Sequence, residues 1–337
     1  MTKIDFGLGL RARHPSLLQP ASRDAEAAGF SHIWLYDSPR TAEAFVAMAF
    51  CAMAAPNCIV GTAVSNVETR DPTVMANGFA TLSTLTGGRV AVGLGLGDSS
   101  VKFIGRKPAS FDTFKEKLGV LRALLSGETI EYNGRSLKLP VPPEKCPPIL
   151  IAAERPRTFE LAGAACDGAI ISPGGSPRFL NYAVGKIREA AKNAGRDPEN
   201  IYICAWTHCV VAETRRAALD QVRPEVGRTL FKAALRVPHQ VLGRDKPILS
   251  DDMARRAVEN VTHQEKEYEL AEEMRGALGD ELLEEFTLVG TPDDVAKKVQ
   301  SITEVEGVKH LIINFHAKDR RLSTEVFRDR IIPTYRR

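Results

Sequence analysis

Short apolar runs rich in β-branched residues alternate along this chain with amphipathic segments. The runs cover residues 4–10, 32–36, 58–64, 89–96, 149–152, 168–171, 201–211 and 310–314. They are apolar at nearly every position rather than every second one, as strands buried on both faces of a parallel sheet are. Helix signals fill the gaps. Asp71-Pro72 places an N-cap and a first-turn proline ahead of a helix that Gly87-Gly88 stops. Ser176-Pro177 opens a helix that ends at Gly195, Thr291-Pro292 opens another, and Gly29 closes the first helix of the chain.

Eight βα units predict an α/β fold, a (β/α)8 TIM barrel forming a single domain over 1–337; an open doubly wound sheet is the alternative. The rhythm is interrupted twice. Residues of about 105–148 hold one helix at 111–125 and a hairpin marked by Asn133-Gly134. A long polar helical stretch fills about 214–285. Both are expected as insertions, after strands four and seven.

Composition excludes some partners. Hydrophobic residues are 44% and charged residues 26% of the chain, values of an ordinary globular protein. Forty-five Lys and Arg against 42 Asp and Glu leave +3, so no footprint for nucleic acid or a membrane surface is expected. Arg328, Arg330, Arg336 and Arg337 read as a solvated helix face and tail. The six cysteines lack C-x-x-C spacing, which predicts buried free thiols in a reducing compartment. No signal peptide is visible after Met1, and no apolar run approaches the roughly 20 residues that span a bilayer. The expectation is a cytoplasmic protein acting on a small molecule.

Barrels carry their chemistry at the C-terminal strand ends. There the sequence places Asp37, Ser65, Asp98, Glu154, the Gly174-Gly175-Ser176 turn, Trp206 to His208, Asn314 and His316. Three features stand out. Gly174-Gly175-Ser176-Pro177 joins two glycines to a helix start, a cradle for phosphate or else an ordinary capped turn. Gly93-Leu94-Gly95-Leu96-Gly97-Asp98 strips side chains from one face of a strand end, where a flat ring could lie against backbone; a tight barrel corner needs the same glycines. Asp37 and Asp98 are candidate catalytic carboxylates, able to hold a ring N–H or move a proton, or simply to cap helices. Trp34 and His310 read as core. The directions of His208 and His316 depend on strand register. No Walker loop, H-E-x-x-H or G-x-S-x-G is present, and no metal set is expected.

These residues resemble a known family. Gly61-Thr62-Ala63-Val64-Ser65-Asn66 with Thr69-Arg70-Asp71-Pro72, Thr86-Gly87-Gly88-Arg89, Gly97-Asp98-Ser99, Pro148 to Ala153, Leu161-Ala162-Gly163 with Cys166-Asp167-Gly168, and Val289 to Val295 follow the order found in the bacterial luciferase-like superfamily. Gly-Asp-Ser after strand four is similar to the branch using coenzyme F-420, an 8-hydroxy-5-deazaflavin, whose best-known member is methylene-tetrahydromethanopterin reductase. The resemblance implies hydride transfer between F-420 and an organic substrate, with a reduced-FMN monooxygenase as runner-up and a non-catalytic flavin-binding barrel as a third reading. It implies a cis peptide at Ala63-Val64 backing the ring and a homodimer. The cofactor positions it implies are Asp37, Ala63, Val64, Ser65, Gly97, Asp98, Ala153 and Glu154 for the ring side, with Gly174, Gly175 and Ser176 for the phosphate. Glu154-Arg155 stands where relatives often have Ser-Gly, and Ser38 where some dehydrogenases have His. Substrate selection is expected from 232–279.

Overall fold

The computed structural model describes residues 3–12, 14–252, 279–316 and 320–335. Its strands are β1 (Asp5–Leu10), β2 (His32–Leu35), β3 (Ile59–Thr62), β4 (Ser65–Asn66), β5 (Val90–Gly95), β6 (Ile130–Tyr132), β7 (Arg135–Leu137), β8 (Ile149–Ala153), β9 (Gly168–Ile171), β10 (Tyr202–Val211), β11 (Leu288–Gly290) and β12 (Val308–Phe315). One sheet runs in the order β10-β12-β1-β2-β3-β5-β8-β9, and β9 pairs back with β10, so the order closes. The ladders from β2 to β8 and from β9 to β12 are parallel. Eight such strands separated by helices make a (β/α)8 barrel, and closure excludes the open sheet. The Asn133-Gly134 hairpin forms as β6–β7 in its own two-stranded sheet.

Contacts divide the chain into two compact units, Leu8–Ala152 and Met1–Gly7 with Ala153–Arg337. The first holds α1 (Leu18–Ala27), α2 (Ala44–Ala54), α3 (Pro72–Thr86), α4 (Ser99–Phe103) and α5 (Phe111–Leu125). Its core is built on Ile33, Trp34, Val60, Met75, Phe79 and Val92, all buried. Asp71 caps α3 by accepting from the Thr73 N–H at 2.9 Å, and Gly87, at φ +65°, ends it. α2 starts at Ala44 rather than at Thr41, because the Glu43 carboxylate accepts the Val46 N–H at 2.8 Å.

The second unit holds α6 (Pro156–Ala165), α7 (Pro177–Asn193), α8 (Arg215–Arg236), α9 (Asp280–Phe286), α10 (Pro292–Thr303) and α11 (Arg321–Val326). Phe159, Ile171, Phe179, Phe286 and Ile312 are buried in it. Thr291 and Asp294 form a capping box at α10. Residues 253–278 lie outside the described residues, so most of the stretch expected to select substrate, 232–279, does too. The described cysteines are free thiols, all buried except Cys146. Among the described residues no helix is long and apolar enough to cross a membrane.

Two strand readings change. The third run ends as β3 at Thr62, turns through a cis peptide between Ala63 and Val64, and continues as β4. β11 is too short for its apolar pattern to stand out; it extends β10 by pairing Cys209 to Val211 with Leu288 to Gly290.

Candidate functional site

In the first unit the site begins at the turn after β3. Ser65 and Asn66 pair with Leu94 and Gly95 of β5. A Cβ at Gly95 would stand 3.0 Å from Val64 Cγ2 and 3.6 Å from Ala152 Cβ. The bare stretch of β5 is therefore covered by Val64 rather than left open, and a ring resting there would lie on Val64. Gly97, at φ +87°, adopts a conformation that suits glycine, and a side chain there would also meet Val101.

Asp37, only 9% exposed, is held on both oxygens. Ser65 Oγ donates to Oδ2 at 2.5 Å. Arg70 donates from Nε to Oδ2 at 2.8 Å and from Nη2 to Oδ1 at 3.2 Å, a bidentate clamp. Arg70 also pairs with Glu43, and its guanidinium lies 4.9 Å from the Phe45 ring centroid. Burial alone would lower the Arg70 pKa, but hydrogen bonds and charge from Asp37 and Glu43 outweigh it and raise it. Asn66 fixes the loop that delivers Arg70. Its Oδ1 accepts the Glu68 and Thr69 N–H groups at 3.1 and 2.9 Å, and its Nδ2 donates to Ser100 Oγ at 3.2 Å.

Asp98 precedes α4 but makes no side-chain capping bond there. Its Oδ1 lies 2.9 Å from Lys102 Nζ, and its side chain is 28% exposed.

In the second unit, β8 ends at the buried Ala153 and the chain turns at Glu154. The Glu154 N–H donates to Thr158 Oγ1 at 3.1 Å, while its carboxylate pairs with Arg236, the last residue of α8. Beyond β9 comes a cis Ser172–Pro173 bond. Gly174 donates its N–H to Trp206 O at 2.7 Å, and a Cβ on it would run into the Trp206 backbone. A Cβ on Gly175 would run into Phe286 and Thr287. Ser176 is buried; its Oγ donates to Glu285 Oε1 at 2.5 Å and accepts the Phe179 N–H at 3.1 Å, capping α7. Both glycines are thus demanded by close backbone packing. The N–H groups of Gly175, Ser176 and Arg178 find no acceptor among the described residues. Three open amides at the start of a 17-residue helix suit an anion.

The histidine register is set by the strands. Side chains two apart share a face. Tyr202, Cys204, Trp206 and His208 therefore share one face of β10, beside His310, Asn314 and His316 of β12. The Tyr202 hydroxyl donates to Asp5 Oδ2 at 2.7 Å and bonds His310 Nδ1 at 2.9 Å. A β10 side chain reaching past β12 to β1 does so on the concave side of the sheet. At the other end of that face His208 Nδ1 and His316 Nε2 are 2.5 Å apart. Trp34 and His310 are buried, at 1% and 0% exposure.

The sequence profile of the luciferase-like monooxygenases matches residues 13–309, most of the chain. The protein belongs to the luciferase-like family. A 5,10-methylenetetrahydromethanopterin reductase of Methanolobus tindarius is 25% identical over 321 residues, covering 92% of this chain and 93% of that one. An F420-dependent glucose-6-phosphate dehydrogenase of Mycolicibacterium fortuitum is 27% identical over 83% of this chain and 79% of its own. Among solved structures, the F420-dependent tetrahydromethanopterin reductase of Methanopyrus kandleri superposes with a TM-score of 0.77 at 21% identity, covering 99% and 100% of the two chains. An F420-dependent secondary alcohol dehydrogenase holding an F420-acetone adduct gives 0.78 at 21%, covering both chains fully. At that identity the structures show the luciferase-like fold.

Three site residues of this luciferase-like chain carry little local signal. Arg70 appears in the sequence only inside a motif, although Asn66 followed by Glu68-Thr69 has the form of the turn that positions it. Arg236 and Glu285 reach Glu154 and Ser176 from distant segments, which no local pattern announces.

Proposed function

We propose that this protein transfers a hydride between coenzyme F-420 and an organic acceptor, a methylene-tetrahydropterin or a carbonyl compound. The observation that carries this reading is likeness over more than four-fifths of the chain to enzymes named for F-420 or for a methylenetetrahydropterin. The chain's own residues suit the cofactor. Val64, braced on Gly95, offers an apolar platform for a ring face, with Ala63 and Ser65 beside it. Asp37 and Gly97 would line the polar edge of the ring, and Ala153 and Glu154 would flank it. Gly175 and Ser176 would bind phosphate through their backbone amides, while Gly174 shapes the turn. When bound, F-420 supplies a two-electron hydride donor or acceptor at its ring. The protein's part is to bind, orient and balance charge. Asp98, ion-paired with Lys102, would orient the ring edge as a carboxylate.

The runner-up is a reduced-FMN monooxygenase. A monooxygenase from Streptomyces bottropensis shares the fold with a TM-score of 0.70, and the family's own description is monooxygenase. Anaerobic turnover separates the two. Reduced F-420 deuterated at its transferable position should deliver deuterium to methylenetetrahydromethanopterin or acetone without oxygen. Acceptor conversion that needs oxygen and FMN would overturn the proposal.

A homodimer in the cytoplasm completes the proposal. Val46, Phe50 and Met53 are 55%, 47% and 77% exposed along one face of α2, and Val74 and Leu85 stand exposed on α3. A second copy of the same surface would cover them. Met53→Glu should shift the sedimenting species from dimer to monomer; an unchanged species would reject this face.

A further inference from the structure

We propose that the His208–His316 pair carries the proton that accompanies hydride transfer. The inference rests on the hydride-transfer reading above and adds a proton-handling group to it. His208 lies three residues before the end of β10 and His316 directly follows β12, toward the C-terminal strand ends where barrels place chemistry. His208 shares the concave face with Trp206, whose ring stands edge-on to it at 4.6 Å between centroids. The Trp206 carbonyl holds Gly174 of the phosphate turn. One continuous set of contacts thus joins the anion-binding turn to the imidazoles within a single unit.

The 2.5 Å contact defines the chemistry. Only one proton fits between the facing nitrogens, Nδ1 of His208 and Nε2 of His316. A neutral pair has that bridging proton and one more. A singly charged pair carries protons on both outer nitrogens as well. A doubly charged pair would set two N–H groups head-on. The pair therefore accepts and releases one proton as a unit while its second protonation is opposed. A lone imidazole lacks this coupling.

Several charges on the surrounding elements have partners of their own. Glu285 of α9 takes the Ser176 hydroxyl, and Glu284 pairs with Arg215. Lys309, at the far end of β12, donates to the Glu199 carbonyl. Asp5, Tyr202 and His310 form their own cluster at the opposite end of the face. α11, packed on β10, carries Arg321 and Glu325.

The acceptor carbon receives the hydride from reduced F-420, which is thereby oxidised. The π electrons of a carbonyl, or the carbon–nitrogen bond pair of a methylene-bridged pterin, move onto the heteroatom. The charged histidine pair gives that heteroatom its proton and is left neutral, to be recharged from water. In the reverse direction the neutral pair takes the proton of the alcohol or amine.

The test uses the full chain and His208→Gln and His316→Gln variants. Histidine NMR on the cofactor-free protein should show the wild-type imidazoles titrating as a coupled pair, and the remaining histidine of each variant as a single independent step. Stopped-flow oxidation of reduced F-420 by methylenetetrahydromethanopterin or acetone should be slowed about 100- to 1,000-fold in both variants, with one ionisation lost from the kcat–pH profile. F-420 affinity should stay within about twofold, which also shows that each variant is folded. Independent titration in the wild type, or variants with normal kcat and an unchanged pH profile, would overturn the proposal. Failure of the wild type to bind F-420 would instead overturn the reading beneath it, and the proposal with it.

Discussion

Arg70→Met removes the clamp on Asp37 while keeping the length of the side chain. The carboxylate it abandons is nearly buried, and Ser65 is its other donor. Breaking a fully buried ion pair costs about 3–5 kcal/mol, because one charge stays in low dielectric without compensation. Here the Arg70 side chain is 23% exposed, so water can replace part of what is lost, and Glu43 is relieved of its partner at a more exposed position. These discounts place the loss at about 2–3 kcal/mol. Urea unfolding followed by tryptophan fluorescence, with the buried Trp34 as reporter, measures it. Asp37→Asn, made alone and with Arg70→Met, completes a double-mutant cycle. The double variant should lose clearly less than the sum of the singles, a coupling of about 1–2 kcal/mol. Arg70→Met within about 0.5 kcal/mol of wild type, or strict additivity, would refute the view that this pair is a buried electrostatic unit.

Three further outcomes are expected. Gly174→Ala should lower yield and stability by about 2–4 kcal/mol, since its Cβ meets Trp206 backbone that cannot rotate away, and should weaken phosphate binding; isothermal titration with inorganic phosphate checks the second effect. Burial pushes the Cys51 thiol up from its ordinary value of 9.0 to about 11, against a smaller lowering by Ser22. In the unfolded chain that thiol loses its proton first as pH rises, so the stability it contributes is present below pH 9 and is lost between about pH 9 and 11. Cys51→Ala should make the fall of unfolding free energy with pH shallower in that window, and an unchanged slope would contradict the assignment. Asp98→Asn should lower kcat about tenfold or less if Asp98 orients the ring edge, whereas a loss of 1,000-fold would make it the proton donor in place of the histidines.

The barrel could be read from sequence because buried parallel strands are apolar throughout and their connecting helices carry explicit stops and starts. Asp71-Pro72, Ser176-Pro177 and Thr291-Pro292 each open a helix. What stayed hidden is set at long range or by a single step of register. The turn after β3 lies inside an apolar run that periodicity reads as one strand; only the family resemblance placed the cis peptide at Ala63-Val64, where the structure has it. Whether His208 faces inward depends on strand parity, which Tyr202 reveals only by touching His310 and Asp5. Glycines at 95, 174 and 175 suggested open backbone for a ligand. Their missing side chains instead admit Val64, Trp206, Phe286 and Thr287, and the groups left without an acceptor among the described residues are the amides of Gly175, Ser176 and Arg178. Composition marks such positions as special without telling a ligand's approach from the chain's own.

A site built for hydride transfer with a deazaflavin must prefer F-420 to FMN. Fluorescence quenching by oxidised and reduced F-420 and by FMN, titrated into purified cofactor-free protein, tests it before any acceptor is known. Micromolar or tighter F-420 binding with FMN at least tenfold weaker is the predicted result. FMN binding tighter than F-420 would reject a deazaflavin site.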